Sequence, residues 1–169
     1  MKLTKIDPQE LQDNAFKLIG EDWMLITAGN EKSYNTMTAS WGGFGVLWHK
    51  NVCFCFIRPQ RHTFKFVEKS DYFTLSFLDE SFKDTLMLCG TKSGKNFDKM
   101  SIPNLSPAKT DLGNIYFEQA RLMIECKKIY SQDIDPKRFI YSETEKNYEG
   151  NDYHRMYIGE ITDCISNEN

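Results

Sequence analysis

The sequence is poor in the groups from which metal sites and catalytic triads are built. Only three histidines occur in 169 residues. None sits in a helical HExxH arrangement, and no Ser-His-Asp order or metal-ligand spacing appears, so zinc and hydrolase chemistry have little support and no metal is expected. The five cysteines are an odd number, which leaves no disulfide framework and points to reduced thiols. Cys53 and Cys55 lie one residue apart, on one face of a strand, and lack the two-residue spacing of a redox or zinc motif. They read as small core residues. No apolar run reaches the roughly 18 residues of a membrane span, and the first ten residues carry no secretory h-region. The expectation is a cytoplasmic protein with no membrane partner. A net charge of −3, from 21 basic and 24 acidic residues, gives no global attraction for nucleic acid, so any basic feature is local.

Aromatic residues, by contrast, make up 14% of the chain, a share that suits a β-rich fold. The length fits one domain over residues 1–169. Residues 8–19 have a helical pattern, with Pro8 in the first turn and Gly20 at the stop. Residues 23–27 and 36–40 are strand-like around a polar loop at 29–35, and residues 46–48 and 52–57 flank a turn at 49–51. Thr63 is placed to cap a short helix, residues 72–78 alternate as a strand, and a helix from Asp79 ends at Gly90 before a polar loop at 90–96. Residues 104–114 are irregular, 115–129 read as two strands with a bend at 118–120, and 153–165 form the last strand. Strands and helices do not alternate regularly. The pattern is mainly β: one antiparallel barrel carrying short helical insertions.

Residues 34–63 carry the sharpest chemical signal. Asn35, Thr36, Thr38 and Ser40 lead into Trp41-Gly42-Gly43, a stretch of hydrogen-bonding side chains and glycines able to lie against a flat polar ring. After the apolar strand, Arg58, Arg61, His62, Thr63 and Lys65 open a helix. Forked guanidinium donors beside free N–H groups make a phosphate site. A ligand with a phosphate dianion at one end and a planar heterocycle at the other, flavin mononucleotide (FMN), satisfies both halves. The plain alternatives are a solvated turn whose arginines pair with carboxylates, and an ordinary half-buried strand at 36–41. The loop at 89–96 resembles a P-loop but fails as one: three residues, not four, separate Gly90 from Gly94-Lys95, and Asn96 stands where Ser or Thr is required. Its Lys92, Ser93 and Lys95 either close over a cofactor or belong to a polar surface loop. Trp41 and Trp48 suit a core or an interface as well as ring stacking, and His62 alone, Glu118, Glu125 and His154 are each explained by pairing within the fold.

In order along the chain, NTMTASWG (35–42), VCFCFIRPQRHT (52–63), YFTLSFL (72–78), CGTKSGKNFDK (89–99), LMIECK (122–127) and YHRMYIGEI (153–161) resemble the flavin reductase-like family, of the flavoredoxin type. The resemblance implies an FMN-binding split β-barrel, an antiparallel Greek-key barrel with helical insertions, usually a homodimer with cofactors near the subunit interface. It places Met37, Thr38, Ala39, Ser40 and Trp41 beside the ring and ribityl groups. Arg58, Arg61, His62 and Thr63 fall at the phosphate turn, with Lys92, Ser93, Gly94 and Lys95 in a closing loop. His154 falls on the nicotinamide side, although many members carry Asp immediately before that histidine and Tyr153 intervenes here after Asp152. Thr38, Ser40 and His154 are then the groups that tune the ring or position a donor. The activity implied is an FMN-dependent oxidoreductase taking electrons from NAD(P)H or a redox protein. The alternative is a non-catalytic FMN electron carrier that does not use NAD(P)H directly. In either case the flavin supplies most of the chemistry, so no nucleophile is needed.

Overall fold

The structure, a computed structural model, describes residues 4–167. Residues 1–3, part of the N-terminal stretch read above, and 168–169 lie outside the described residues. An eight-stranded antiparallel sheet is built from β1 (Thr4–Lys5), β2 (Met24–Asn30), β3 (Ser33–Ala39), β4 (Gly42–Leu47), β5 (Lys50–Ile57), β6 (Tyr72–Leu78), β9 (Ala120–Asp133) and β10 (Arg155–Ser166). A separate hairpin joins β7 (Pro107–Lys109) to β8 (Ile115–Phe117). Strand order is β3-β2-β6-β9-β10-β5-β4, with β1 added on β10. β3 and β4 therefore stand at opposite ends of the path although only Ser40 and Trp41 separate them in sequence. Three residue steps span at most about 10 Å, so the sheet has to curl until its two ends meet. The ends meet without pairing. This produces a barrel with a split seam, the fold class that the sequence pattern predicts.

Alternation sorts the strands. Cys53, Cys55 and Ile57 on β5 and Tyr157 on β10 point inward and are fully buried, joining Phe73, Phe77, Ile124 and Cys126 in the barrel core. All five cysteines are free, as their odd number suggested, and all are buried, as the spacing suggested for Cys53 and Cys55. Gly159 of β10 makes this packing possible: a Cβ there would lie 2.7 Å from Cys126 Cβ and 2.9 Å from the Phe73 ring. The opposite faces carry Phe54 and Phe56 on β5 and Met156 and Ile158 on β10, all only partly covered.

Local chemistry explains where element boundaries differ from the sequence expectation. The helix expected over 8–19 is three pieces: a 3-10 turn at Pro8–Glu10 capped by Asp7, one α turn α1 (Ala15–Lys17), and a π turn at Leu18–Asp22. Asn14 interrupts it because its side chain accepts from the N–H groups of Phe16 and Lys17, a capping role that competes with helix continuation. The β4–β5 turn is Trp48-His49, with φ of 51° and 58°, one residue earlier than expected and with Asn51 in the strand. Helix α2 (His62–Lys69) begins after Arg61 with no side-chain cap, and Thr63, expected as the cap, is its second residue. Helix α3 (Lys83–Thr91) follows a short 3-10 turn and packs on β2 and β3, its Leu86 and Cys89 buried with Leu25 and Tyr34. The bend at 118–119 is present, after which β9 runs on to Asp133. No helix among the described residues is long and apolar enough to cross a membrane.

Candidate functional site

A cavity of about 350 Å³ opens at the seam. Its floor is the end of β3 and the connection to β4, residues 37–41; Phe56 and Arg58 come from β5 and the residue beyond it, Arg61 from the following turn, Leu86, Met87, Gly90 and Thr91 from α3, Trp23 from the approach to β2, and His154 from the approach to β10. Because β3 ends the hydrogen-bonded path, one of its edges carries unpaired backbone groups. The carbonyl of Thr36 lies on that edge, where Lys99 Nζ donates to it at 2.8 Å. Alternate residues of an antiparallel strand aim both backbone groups to the same side. Thr38, two residues on, therefore turns its N–H and C=O toward the open edge, supplying a main-chain donor and acceptor for a planar heterocycle.

Met37, Thr38, Ala39, Ser40 and Trp41 all line this cavity. The Thr38 hydroxyl, however, donates to the Leu86 carbonyl of α3, so it fastens the helix to the strand and is not a free donor to a ring. Arg58 and Arg61 line the cavity as well, but both have partners inside the fold. Arg58 bonds Asp152 and, at 2.9 Å, the Asn147 carbonyl, and its guanidinium stands 5.3 Å from the Tyr148 ring centre. Arg61 donates to the carbonyls of Gly90 at 2.7 Å and Cys89 at 3.4 Å, at the C-terminal end of α3. Thr63 is buried and donates to Asn35 Oδ1 at 2.9 Å, tying α2 to β3. His62 opens α2; burial, reinforced by Lys65, Lys95 and Lys99, lowers its pKa, and its buried Nδ1 has no partner among the described residues.

Lys92, Ser93, Gly94 and Lys95 do not line the cavity. The loop instead packs on the turn beside it. A Cβ on Gly94 would lie 2.2 Å from Asn35 Nδ2 and 2.9 Å from His62 Cδ2, so only glycine lets the loop approach so closely. Within the loop, Ser93 Oγ accepts from Lys95 N, and the Ser93 carbonyl accepts from Asn96 and Phe97, while the Lys92, Ser93 and Lys95 side chains are exposed.

His154 is 8% exposed, its ring tilted against Trp41 with ring centres 4.9 Å apart, and its Nδ1 lies 3.0 Å from the Tyr148 hydroxyl. Burial, with Arg58 adding repulsion, pushes its pKa down to about 4, so a neutral imidazole faces the cavity near neutrality. Asp152 does not precede the histidine directly, and it serves the arginine: it accepts from Arg58 and Gln60, and that pairing holds its carboxyl below the usual range.

Other residues enter only through the fold. Lys99 is 3% exposed and donates to the carbonyls of Thr36 and, at 2.7 Å, Cys89. It lies in the CGTKSGKNFDK segment, but nothing in its local pattern marks it as buried. Trp23 lines the cavity with φ 70° and ψ 166°, a backbone region populated almost only by glycine. Its indole donates to the Gly20 carbonyl, and Lys83 Nζ stands 3.4 Å from its ring centre. Tyr148 arrives from the 3-10 segment Ser142–Tyr148, which the sequence reading left unassigned.

The flavin reductase like domain family matches residues 17–169. Among solved structures, the chain is similar to an FMN-binding protein from Thermus thermophilus, with a TM-score of 0.69 at 17% identity over 98% of this chain and 79% of that one. It is similar to flavoredoxin from Methanosarcina acetivorans, with a TM-score of 0.70 at 16% identity over 99% and 77% of the two chains. The flavin reductase of styrene monooxygenase from Pseudomonas putida gives 0.63 at 15% identity over 87% and 80%. No curated protein sequence matches. At these identities the structural likeness speaks for the fold alone.

Proposed function

The chain belongs to the flavin reductase-like family, and we propose that it is an oxidoreductase that binds FMN in the seam cavity and passes electrons from NAD(P)H, or from a protein donor, to an acceptor. The observation that carries this reading is the placement of an unpaired strand edge and a two-arginine turn on one cavity.

The residues present fit the group. The open backbone edge at Thr38, flanked by Met37, Ala39, Ser40 and Trp41, suits the ring, which needs in-plane donors and acceptors more than charge. Helix α2 begins at the turn with no side-chain cap on its N–H groups, Arg61 is beside it, and the partnerless His62 Nδ1 awaits a polar atom. These groups suit a phosphate dianion. Arg58, with Asp152 and Tyr148, then braces His154 from behind. The 92–95 loop contributes through Gly94, which holds Asn35 and His62 in place. Bound FMN supplies hydride acceptance and one-electron transfer. The protein's part is placement: His154 offers an uncharged ring nitrogen against Trp41, and the apolar wall of Phe56, Leu86 and Met87 limits water around the ring.

A homodimer is part of this proposal. Phe54, Ile158 and Tyr130 are in register across β5, β10 and β9 on the outward face, next to Phe56 and Met156, and Trp48 packs on Tyr130 at 6.2 Å. Trp48 and Tyr130 are 57% and 40% exposed. A contiguous aromatic sheet face of this kind suits a second copy of the chain.

Anaerobic titration tests the reading. The protein should bind FMN, and the yellow complex should bleach at a catalytic rate with NADH or NADPH. Failure to bind FMN refutes the site. Binding without bleaching supports the carrier function, in which a redox protein is the donor.

A further inference from the structure

Resting on the FMN reading, we infer that Lys99 is a positioning residue of the phosphate site: its ammonium both holds the carbonyl end of α3 and offsets that end's negative pole, which leaves Arg61 free to exchange those carbonyls for a phosphate dianion. The last carbonyls of a helix carry its negative pole and need partners. In α3, Leu88 O is satisfied by the N–H of Lys92, whereas Cys89 O and Gly90 O are satisfied by side chains. Arg61 reaches both, but its bond to Cys89 is long at 3.4 Å, and Lys99 already bonds the same carbonyl at 2.7 Å. When Arg61 swings away, only Gly90 O loses its partner, and Gly90 lines the cavity. Without Lys99 the buried Cys89 carbonyl would hold the guanidinium in place, and an anion at the turn would face the uncompensated negative pole of α3. Lys99 also bonds Thr36 O, so it fixes the strand edge that carries Thr38 at the same time. Its partners are neutral carbonyls, and no carboxylate among the described residues pairs with it. The ammonium therefore contributes its charge to the site and not to an ion pair.

The charge is titratable. Burial, with Arg61 adding repulsion and Cys89 opposing it, brings Lys99 down to about 8. The neighbouring groups move away from that range: burial raises the Cys89 thiol and lowers His62, while Arg61, lowered by burial and by Arg58, remains a cation. Lys65 and Lys95 are the other cations bearing on His62. A neutral amine still has two N–H groups for its two carbonyls, so titration removes the charge and leaves the bonds.

The test compares FMN with riboflavin, which has the same ring and no phosphate, by fluorescence titration of the full chain. FMN's phosphate is already a dianion above about pH 7, and ring titration cancels in the ratio. In the wild type the FMN-to-riboflavin affinity ratio should fall about tenfold between about pH 7 and about pH 9.5, as one charge next to a dianion is lost. Lys99→Met should show a low ratio with no pH dependence, and Lys99→Arg a high ratio that persists at the alkaline end. A wild-type ratio independent of pH, or a Lys99→Met ratio equal to wild type, overturns the inference. If Lys99→Met does not fold, the wild-type and Lys99→Arg profiles decide it. Failure of both flavins to bind the wild type overturns the FMN reading itself, and this inference with it.

Discussion

Replacing His154 should change how stability depends on pH before it changes anything else. In the folded protein the imidazole titrates at about 4, against 6.5 in an ordinary setting, and the side chain is 8% exposed, so solvent screening discounts little of the difference. Between these values the unfolded chain binds a proton that the folded chain does not. Stability from the neutral ring is therefore complete above 6.5 and is lost as pH falls toward 4. Linkage gives a loss of about 2 kcal/mol by about pH 5 from this one group. Ordinary carboxylates begin to protonate toward the acid end of this interval, so the assay has to be differential. Urea unfolding of the wild type and His154→Gln at about pH 7.5, 6 and 5 supplies it: the glutamine retains a polar partner for Tyr148 and cannot titrate. The stability gap between the two proteins should narrow, or reverse, by about 2 kcal/mol over that range. Parallel losses in both proteins would show that the ring is not held neutral by its surroundings, and its role as an uncharged cavity group would fall with that result.

Arg61→Ala should weaken FMN by about tenfold to a hundredfold while leaving riboflavin within about threefold, read by fluorescence titration; equal losses for both would remove Arg61 from the phosphate site. Gly94→Ala should displace the 92–95 loop from Asn35 and His62, because the new methyl group has nowhere to go, and should lower FMN affinity with a small change in melting temperature. An unchanged affinity there would show that the loop's contact with the turn is irrelevant to the site. Gly159→Ala puts a methyl group against Cys126 and Phe73 in the barrel core and should cost about 2 kcal/mol in urea unfolding. A neutral result would mean that β10 and the core repack freely.

Which parts were legible in sequence follows from the range of the forces involved. The strands from 72 to 78, 115 to 117 and onward from 120 show in their own alternation, because the period of a strand is a local property. The inward placement of Cys53 and Cys55 follows from the same rule. The helix expected over 8–19 fails at Asn14 because its apolar spacing outweighed a capping side chain, and the register of the β4–β5 turn depends on two residues adopting positive φ at Trp48 and His49, for which their sequence gives no cue. In the site, residues 36–40 were readable as a strand, and β3 runs from Ser33 to Ala39, but their place on a cavity was not a local property. Nor were the partners. Arg58 meets Asp152, Arg61 meets Gly90, Thr38 meets Leu86 and Lys99 meets Thr36, contacts that span 29 to 94 residues of sequence. They exist only because the sheet curls its ends together.

The pairing of these groups also bears on what binding requires. A site whose arginines waited unpaired in a half-buried cavity would destabilise the protein in the absence of ligand, since two like charges would be partly desolvated near each other. Here each guanidinium has carbonyl or carboxylate partners, and those partners differ in what they can release. The Arg58–Asp152 pair is charge-assisted and shared with Gln60, so breaking it would strand a carboxylate that already has one oxygen buried and unpartnered. The Arg61 bonds go to neutral carbonyls, one of which Lys99 also holds. Exchanging neutral carbonyls for a dianion is favourable, and exchanging a carboxylate for one gains little. Arg61 is thus the cation able to change partners, and Arg58 the one that keeps Asp152, Tyr148 and through it His154 in position.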